Sequence, residues 1–237
     1  MLSIIIPARN EADNLGDILD YFNTNLSNVE FELILVNDFS DDETLIKAKK
    51  IFEGKSNFRI IDNDKKGLGG AINLGIKNAR GERIAITMAD LSDSADDLIK
   101  YNNLMIEKNL DAVLGSRFLK DSLVKDYPFQ KLVLNRIFNF VVSLLFWNKF
   151  NDYTNAFKIY KKSVLIELLP LVSESFNIFL EIPLKIISRN YKYEIIPISW
   201  FGRKKGKAKF QIKELRSKYL FTLIYCFIEK NLLNLKK

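Results

Sequence analysis

Histidine is absent from this chain of 237 residues, and cysteine occurs once, at Cys226. Without imidazole, and with one thiol, any metal site must be built from oxygen ligands. That suits Mg²⁺ or Mn²⁺ and argues against zinc. A lone cysteine excludes an internal disulfide framework and points to a reducing compartment. Long apolar runs are also lacking, since no stretch reaches the ~20 apolar residues that cross a bilayer. The longest are Ile137 to Trp147, broken by Asn139 and Ser143, and Tyr219 to Ile228. Each reads either as a buried core helix or as an amphipathic helix on a membrane surface. The first residues have no basic lead and only a brief apolar run, so a signal peptide is not expected. No internal repeat or low-complexity linker interrupts the sequence.

What is present is enough for a sizeable core, with 48% hydrophobic residues. Lys and Arg outnumber Asp and Glu by 36 to 29, a net charge of +7. The excess suggests an anionic partner: nucleotide, lipid phosphate, membrane surface or nucleic acid. The first half alternates β-rich runs (Leu2 to Pro7, Phe31 to Val36, Phe58 to Ile61, Glu82 to Met88) with helical spacings (Glu11 to Asn25, Asp41 to Phe52, Gly67 to Ala79). Acidic residues are expected in the first turn of the second helix. Such alternation predicts an α/β fold with a mostly parallel central sheet and flanking helices. Later segments read as a strand at Ala112 to Leu114, a long helix from Gln130 to Trp147 and a strand at Phe157 to Tyr160. Two helices (Ser163 to Leu169 and Ile178 to Ser188) and a single strand from Tyr193 to Trp200 follow. The expected organisation is one domain over residues 1–210 with a short C-terminal helical extension over 211–237.

In parallel sheets, ligands sit outside the carboxyl ends of the strands. Those ends carry Arg9, Asn10 and Glu11, then Asn37 and Asp38, then Asp90 and Asp93. Asp90 and Asp93 suit a divalent cation bridging a diphosphate, although Asp93 equally suits a helix cap. Gly67-Leu68-Gly69-Gly70 precedes a helix, so Gly69 could let a phosphate approach the backbone; close helix packing is the other reading. It is neither a Walker loop nor a dinucleotide fingerprint, because no Gly-Lys-Ser/Thr follows and the glycines come after the third strand. Arg117 suits a bidentate contact to an anionic oxygen. The basic run from Arg203 to Lys209 is either a phosphate clamp or a solvated loop.

Taken in order, these motifs resemble family 2 glycosyltransferases. The resemblance rests on Ser3-Ile4-Ile5-Ile6-Pro7-Ala8-Arg9-Asn10-Glu11, Leu35 to Thr44, Lys66 to Gly75, Met88 to Asp93, Gly115-Ser116-Arg117-Phe118 and Asp152 to Lys158. It is nearest the branch containing dolichyl-phosphate mannose synthases and bacterial polyprenyl-phosphate glycosyltransferases. It implies a GT-A fold and inverting transfer of a hexose from a GDP- or UDP-sugar. By the same resemblance Pro7, Ala8, Glu11 and Asp38 hold the nucleoside, and Asp90 coordinates Mg²⁺ or Mn²⁺. Arg117 and Lys131 bind the acceptor phosphate, and Arg203 and Lys209 close over the diphosphate. Met88 stands where the family has the first Asp of its Asp-x-Asp motif, and Asn37 replaces an Asp beside Asp38.

A phosphate acceptor is already ionised near neutral pH, so no strong general base is required and the missing histidine is tolerable. The implied acceptor is a polyprenyl phosphate, reached peripherally at the cytoplasmic membrane face through the apolar helix from Lys131 to Trp147. A saccharide hydroxyl acceptor would instead need a carboxylate base, for which Glu181 and Asp152 are the candidates. A catalytically silent nucleotide-sugar or membrane-surface binding protein is the reading that Met88 supports. Nucleic acid accounts for the charge but for none of the ordered motifs.

Overall fold

The computed structural model describes residues 1–202 and 212–234. In chain order the elements are β1 (Leu2–Ala8), α1 (Leu15–Asn25), β2 (Phe31–Asn37), α2 (Thr44–Phe52), β3 (Phe58–Asp62) and α3 (Leu68–Asn78). Next come β4 (Arg83–Ile86), α4 (Ala95–Lys108), β5 (Ala112–Ser116), β6 (Leu123–Lys125) and α5 (Phe129–Phe146). The rest are β7 (Lys158–Lys161), α6 (Lys162–Glu167), α7 (Ile178–Ser188), β8 (Tyr193–Pro197), β9 (Ser199–Phe201) and α8 (Ile212–Asn234).

Seven strands form one sheet in the order β3-β2-β1-β4-β7-β5-β8, and β6 pairs with β9 in a small second sheet. Every pairing in the large sheet is parallel except those of β7, which runs antiparallel to both β4 and β5. The order reverses between β1 and β4. That is the switch point outside which ligands collect in open α/β sheets. Because β7 runs backwards, the turn before it arrives at the edge where β4 and β5 end.

Period-2 alternation in β1 divides the core. Leu2, Ile4, Ile6 and Ala8 pack with α1, α2 and α4 through Leu15, Ile18, Phe22, Ala48, Phe52, Leu98 and Met105. Ile5 packs on the other face with Ile72 and Ile76 of α3 and with α6 and α7. α8 also belongs to this second core, through Tyr219, Leu223 and Cys226. The C-terminal helix therefore shares the core of the sheet.

Several sequence expectations change in detail. α1 starts at Leu15 rather than Glu11. No acid lies in the first turn of α2; Asp42 sits ahead of it and accepts a hydrogen bond from the Thr44 N–H at 2.9 Å. The expected strand from Tyr193 to Trp200 is two strands in two sheets, divided after Pro197. Proline has no N–H to continue the ladder, and the chain turns to pair with β6. α5 revises the expectation about apolar length, because its 18 residues are long and apolar enough to cross a membrane by length and composition. Among the described residues it is the one such helix, and most of it is not buried.

Candidate functional site

β1, β2 and β4 are neighbours, and their polar residues reach one edge of the sheet. At each end one residue takes a left-handed backbone: Asn10 (φ 52°), Phe39 (φ 52°) and Leu91 (φ 54°). These conformations are costly for residues with side chains and cluster at binding and reacting sites. Asp38 is buried and its N–H donates to Ala8 O at 2.8 Å. Its Oδ1 accepts from the Gly67 N–H and from Asn63 Nδ2, both at 2.8 Å. Glu11 is buried, with Oε2 accepting from Asn14 Nδ2 at 2.6 Å and its N–H donating to Thr44 Oγ1 at 2.8 Å. Pro7 and Ala8 lie buried at the end of β1. Pro7 falls beyond the last β1–β4 pair, Ile5 with Ile86, so its missing N–H leaves no gap in that ladder. Sequence reasoning thus named four residues that the fold brings together.

Gly69 needs a correction. Its N–H donates to Glu174 O at 3.1 Å, so it is not offered to a phosphate. A Cβ there would overlap the Ser173 carbonyl oxygen, which makes glycine necessary for the close approach of residues 173–174. Close packing, the alternative reading of the glycine run, accounts for this residue.

Beyond β4, Asp90 is partly exposed and its Oδ1 accepts from the Ser92 N–H at 3.2 Å. Asp93 is buried and accepts from Thr87 Oγ1 at 3.0 Å. Burial, and then the charge of Asp90, push the Asp93 carboxyl up to about 7. Tyr21 secures the turn, donating to Asp93 O at 3.0 Å and accepting from the Ala95 N–H at 2.6 Å. On the far side Phe201 N–H donates to Ser92 O at 3.0 Å. β9 therefore runs along the acidic turn immediately before the basic segment. Arg203 and Lys209 themselves lie outside the described residues.

Arg117 follows β5 and is held by Asp152 in a buried fork. Nε donates to Oδ2 at 2.8 Å, Nη2 to Oδ1 at 2.7 Å and the backbone N–H to Oδ2 at 2.9 Å. Its guanidinium carbon lies 5.3 Å from both the Phe118 and Tyr127 ring centroids. Burial disfavours its charge, and the Asp152 carboxylate more than offsets that. Lys131, in the first turn of α5, is half-buried with Nζ 5.6 Å from the centre of the Tyr127 ring. Burial and the Arg117 charge lower its proton affinity, and Asp90 opposes them. Asp90 and Arg117 are therefore both near enough to Lys131 to act on its charge.

Two polar residues of α5 were missed. Asn135 Nδ2 donates to the Tyr127 hydroxyl, and Asn139 Oδ1 accepts from the Tyr153 N–H at 2.6 Å. Lys131, Asn135 and Asn139 recur every four residues, a polar stripe visible in an apolar helix. The opposite face exposes Leu134, Ile137, Phe140, Leu144 and Trp147. Both candidate general bases are fully buried in ion pairs: Asp152 with Arg117, and Glu181 with Lys185 at 2.8 Å. Among the described residues no group of three acids gathers for a metal.

Comparison with known proteins agrees with this geometry. The family model described as glycosyl transferase family 2 matches residues 3–169. A dolichol-phosphate mannosyltransferase from Pyrococcus furiosus is 28% identical over 90% of this chain and 60% of its own length. A dodecaprenyl-phosphate galacturonate synthase from Rhizobium johnstonii is 28% identical over 69% of this chain and 48% of its own length. A polyprenol monophosphomannose synthase from Mycolicibacterium smegmatis is 24% identical over 90% of this chain and 82% of its own length. The chain thus spans about half to three-fifths of the first two relatives. A glucosyl-3-phosphoglycerate synthase from Mycobacterium tuberculosis, crystallised with Mn²⁺, UDP and phosphoglyceric acid, superposes with a TM-score of 0.72 at 14% identity. It covers 96% of this chain and 78% of that one, and the likeness establishes a GT-A-like fold. With the strand-end residues in place and the family model covering most of the sheet, the chain belongs to glycosyl transferase family 2.

Proposed function

We propose that the protein is an inverting glycosyltransferase that moves a hexose from a GDP- or UDP-sugar to a polyprenyl phosphate at the cytoplasmic membrane face. The observation that carries this reading is α5. Its inner stripe places Lys131 beside Arg117, and its outer face exposes apolar side chains continuously to Trp147. One helix thus joins two cations that share the Tyr127 ring to a lipid-compatible surface, which suits an acceptor with a phosphate head and a hydrocarbon tail. The names of the three curated relatives all specify a dolichol, dodecaprenyl or polyprenol phosphate.

In this reading Pro7, Ala8, Glu11 and Asp38 line the nucleoside end, and Asp90 holds Mg²⁺ or Mn²⁺. A single carboxylate fits such an ion, because Mg²⁺ is bound through one or two carboxylates, substrate phosphates and water. When bound, the ion would neutralise charge on the departing nucleoside diphosphate. Arg117 and Lys131 hold the acceptor phosphate in line with the sugar, so positioning and charge supply most of the rate. Arg117 keeps Nη1 toward the Tyr127 hydroxyl while its other two nitrogens grip Asp152.

The burial of Asp152 and Glu181 in ion pairs weighs against a saccharide hydroxyl acceptor, which needs a free carboxylate base. The test is incubation with Mn²⁺, labelled GDP- or UDP-sugars and a polyprenyl phosphate. A lipid-extractable labelled product is expected, and Asp90→Ala should abolish it. Transfer only to soluble sugars would overturn the acceptor assignment. Full activity of Asp90→Ala would overturn the metal assignment.

A further inference from the structure

Lys158 is fully buried at the start of β7, between Ile86 of β4 and Leu114 of β5. Among the described residues it makes no ion pair with a carboxylate. Its Nζ donates instead to the backbone carbonyls of Asn155 and, at 3.3 Å, Tyr153, and lies 5.7 Å from the centre of the Phe150 ring. A buried ammonium without a paired carboxylate is costly, and a methionine or leucine would fill a sheet interior at less cost.

The carbonyls it holds belong to the turn that carries Asp152. That turn is tied down from other directions as well. Tyr153 N–H donates to Asn139 of α5 at 2.6 Å, and Asn155 Nδ2 donates to Gly115 O at 3.3 Å. Asp152 in turn orients Arg117 through both of its oxygens. Lys158 therefore lies directly beneath the structure that aims Arg117.

We propose that Lys158 is a positioning residue of the acceptor site. Its buried ammonium pins the turn that orients Arg117 and places a third positive charge behind Arg117 and Lys131. This rests on the reading of Arg117 and Lys131 as acceptor-phosphate ligands. Burial pushes Lys158 down to about 7. The charges acting on it are Asp152 and Asp93, which favour its protonated form, and Arg117, which opposes it. An anion arriving at Arg117 raises the proton affinity of Lys158, so acceptor binding draws a proton onto Nζ near neutral pH. At higher pH the phosphate meets a neutral lysine and binds more weakly.

The experiment measures acceptor and donor KM for the full chain between pH 6.5 and 9, with a short-chain prenyl phosphate. For the wild type, acceptor KM should rise about tenfold across this range, a cation–anion interaction at intermediate dielectric, while any change in donor KM from Asp93, which also lies near 7 and acts on Asp90, is common to all three proteins. Lys158→Arg, which cannot lose its charge, should flatten the rise. Lys158→Met should show the raised acceptor KM throughout. Identical acceptor profiles for all three proteins would overturn the proposal. Should both variants fail to fold, ¹³Cε-lysine NMR of the wild type decides, with sulfate as a non-titrating anion. A lysine resonance titrating near neutral pH, and retained in Lys131→Ala, should move to higher pH with sulfate, and no movement overturns the proposal. Absence of transfer to any prenyl phosphate would refute the acceptor reading, and the sulfate titration would still test the lysine.

Discussion

The outer face of α5 offers the sharpest test of membrane contact. Phe140 is 62% exposed and Leu144 is 58% exposed, one helical turn apart. Fully burying such a side chain is worth about 1.5–3 kcal/mol, so inserting the exposed fraction into lipid contributes about 1–2 kcal/mol each. Replacing both with aspartate should remove about 2–4 kcal/mol, weakening vesicle binding by about 30- to 1,000-fold. The folded state should lose far less. Neither side chain is counted in the core, and aspartate costs only a few tenths of a kcal/mol each in helix propensity. The expected fall in Tm is therefore about 1–2 °C. The assay is sedimentation with anionic liposomes, with circular dichroism and a thermal melt on the same preparations. Unchanged liposome binding by a folded Phe140→Asp/Leu144→Asp protein would refute the reasoning, and the apolar face would need another partner.

Two further outcomes follow from buried contacts. Gly69→Ala should destabilise the protein by about 1–3 kcal/mol, because the new methyl overlaps the backbone at Ser173 and neither segment has a flexible end to yield; denaturant unfolding measures this, and an unchanged midpoint refutes it. Cys226 is 1% exposed, and burial pushes its thiol well above the ordinary range, with Glu181 reinforcing the shift. A thiol-reactive chromophore should therefore modify it only as the protein unfolds, and rapid native labelling would contradict the packing of α8 against α7.

Much of the first half of the sheet was legible because its signals are local. Ile4-Ile5-Ile6 and Leu33-Ile34-Leu35-Val36 are continuous apolar runs, as strands buried on both faces require. Their polar ends follow from where each run stops. The direction of β7 was not legible, since a short apolar strand reads alike in either sense; only its neighbours make it antiparallel. β6 has three residues and too little pattern to register. The division at Pro197 depends on the partner β6 that attracts the second piece. Gly69 looked like a phosphate cradle because the segment that fills the space beside it, Ser173 and Glu174, is about a hundred residues away in sequence.

The surroundings of Arg117 separate the two kinds of information most clearly. By itself the sequence determined the residue types available: no imidazole, oxygen-only metal ligands, an excess of cations, and Asp90, Arg117 and Lys131 in a recognisable order. Composition and order along the chain are properties of the sequence. Tertiary structure alone decided which charges are buried and which distant partners they meet. Arg117 and Asp152 are 35 residues apart, yet they form one buried fork. Glu181 pairs with Lys185 one turn along α7, a local contact, but the fold buries it and brings the Val172 and Ser173 N–H groups to its carboxylate. Lys158 is buried beneath the turn that holds Asp152 in place. Burial and pairing set the energy of a charge, and both arise from what the fold packs around it.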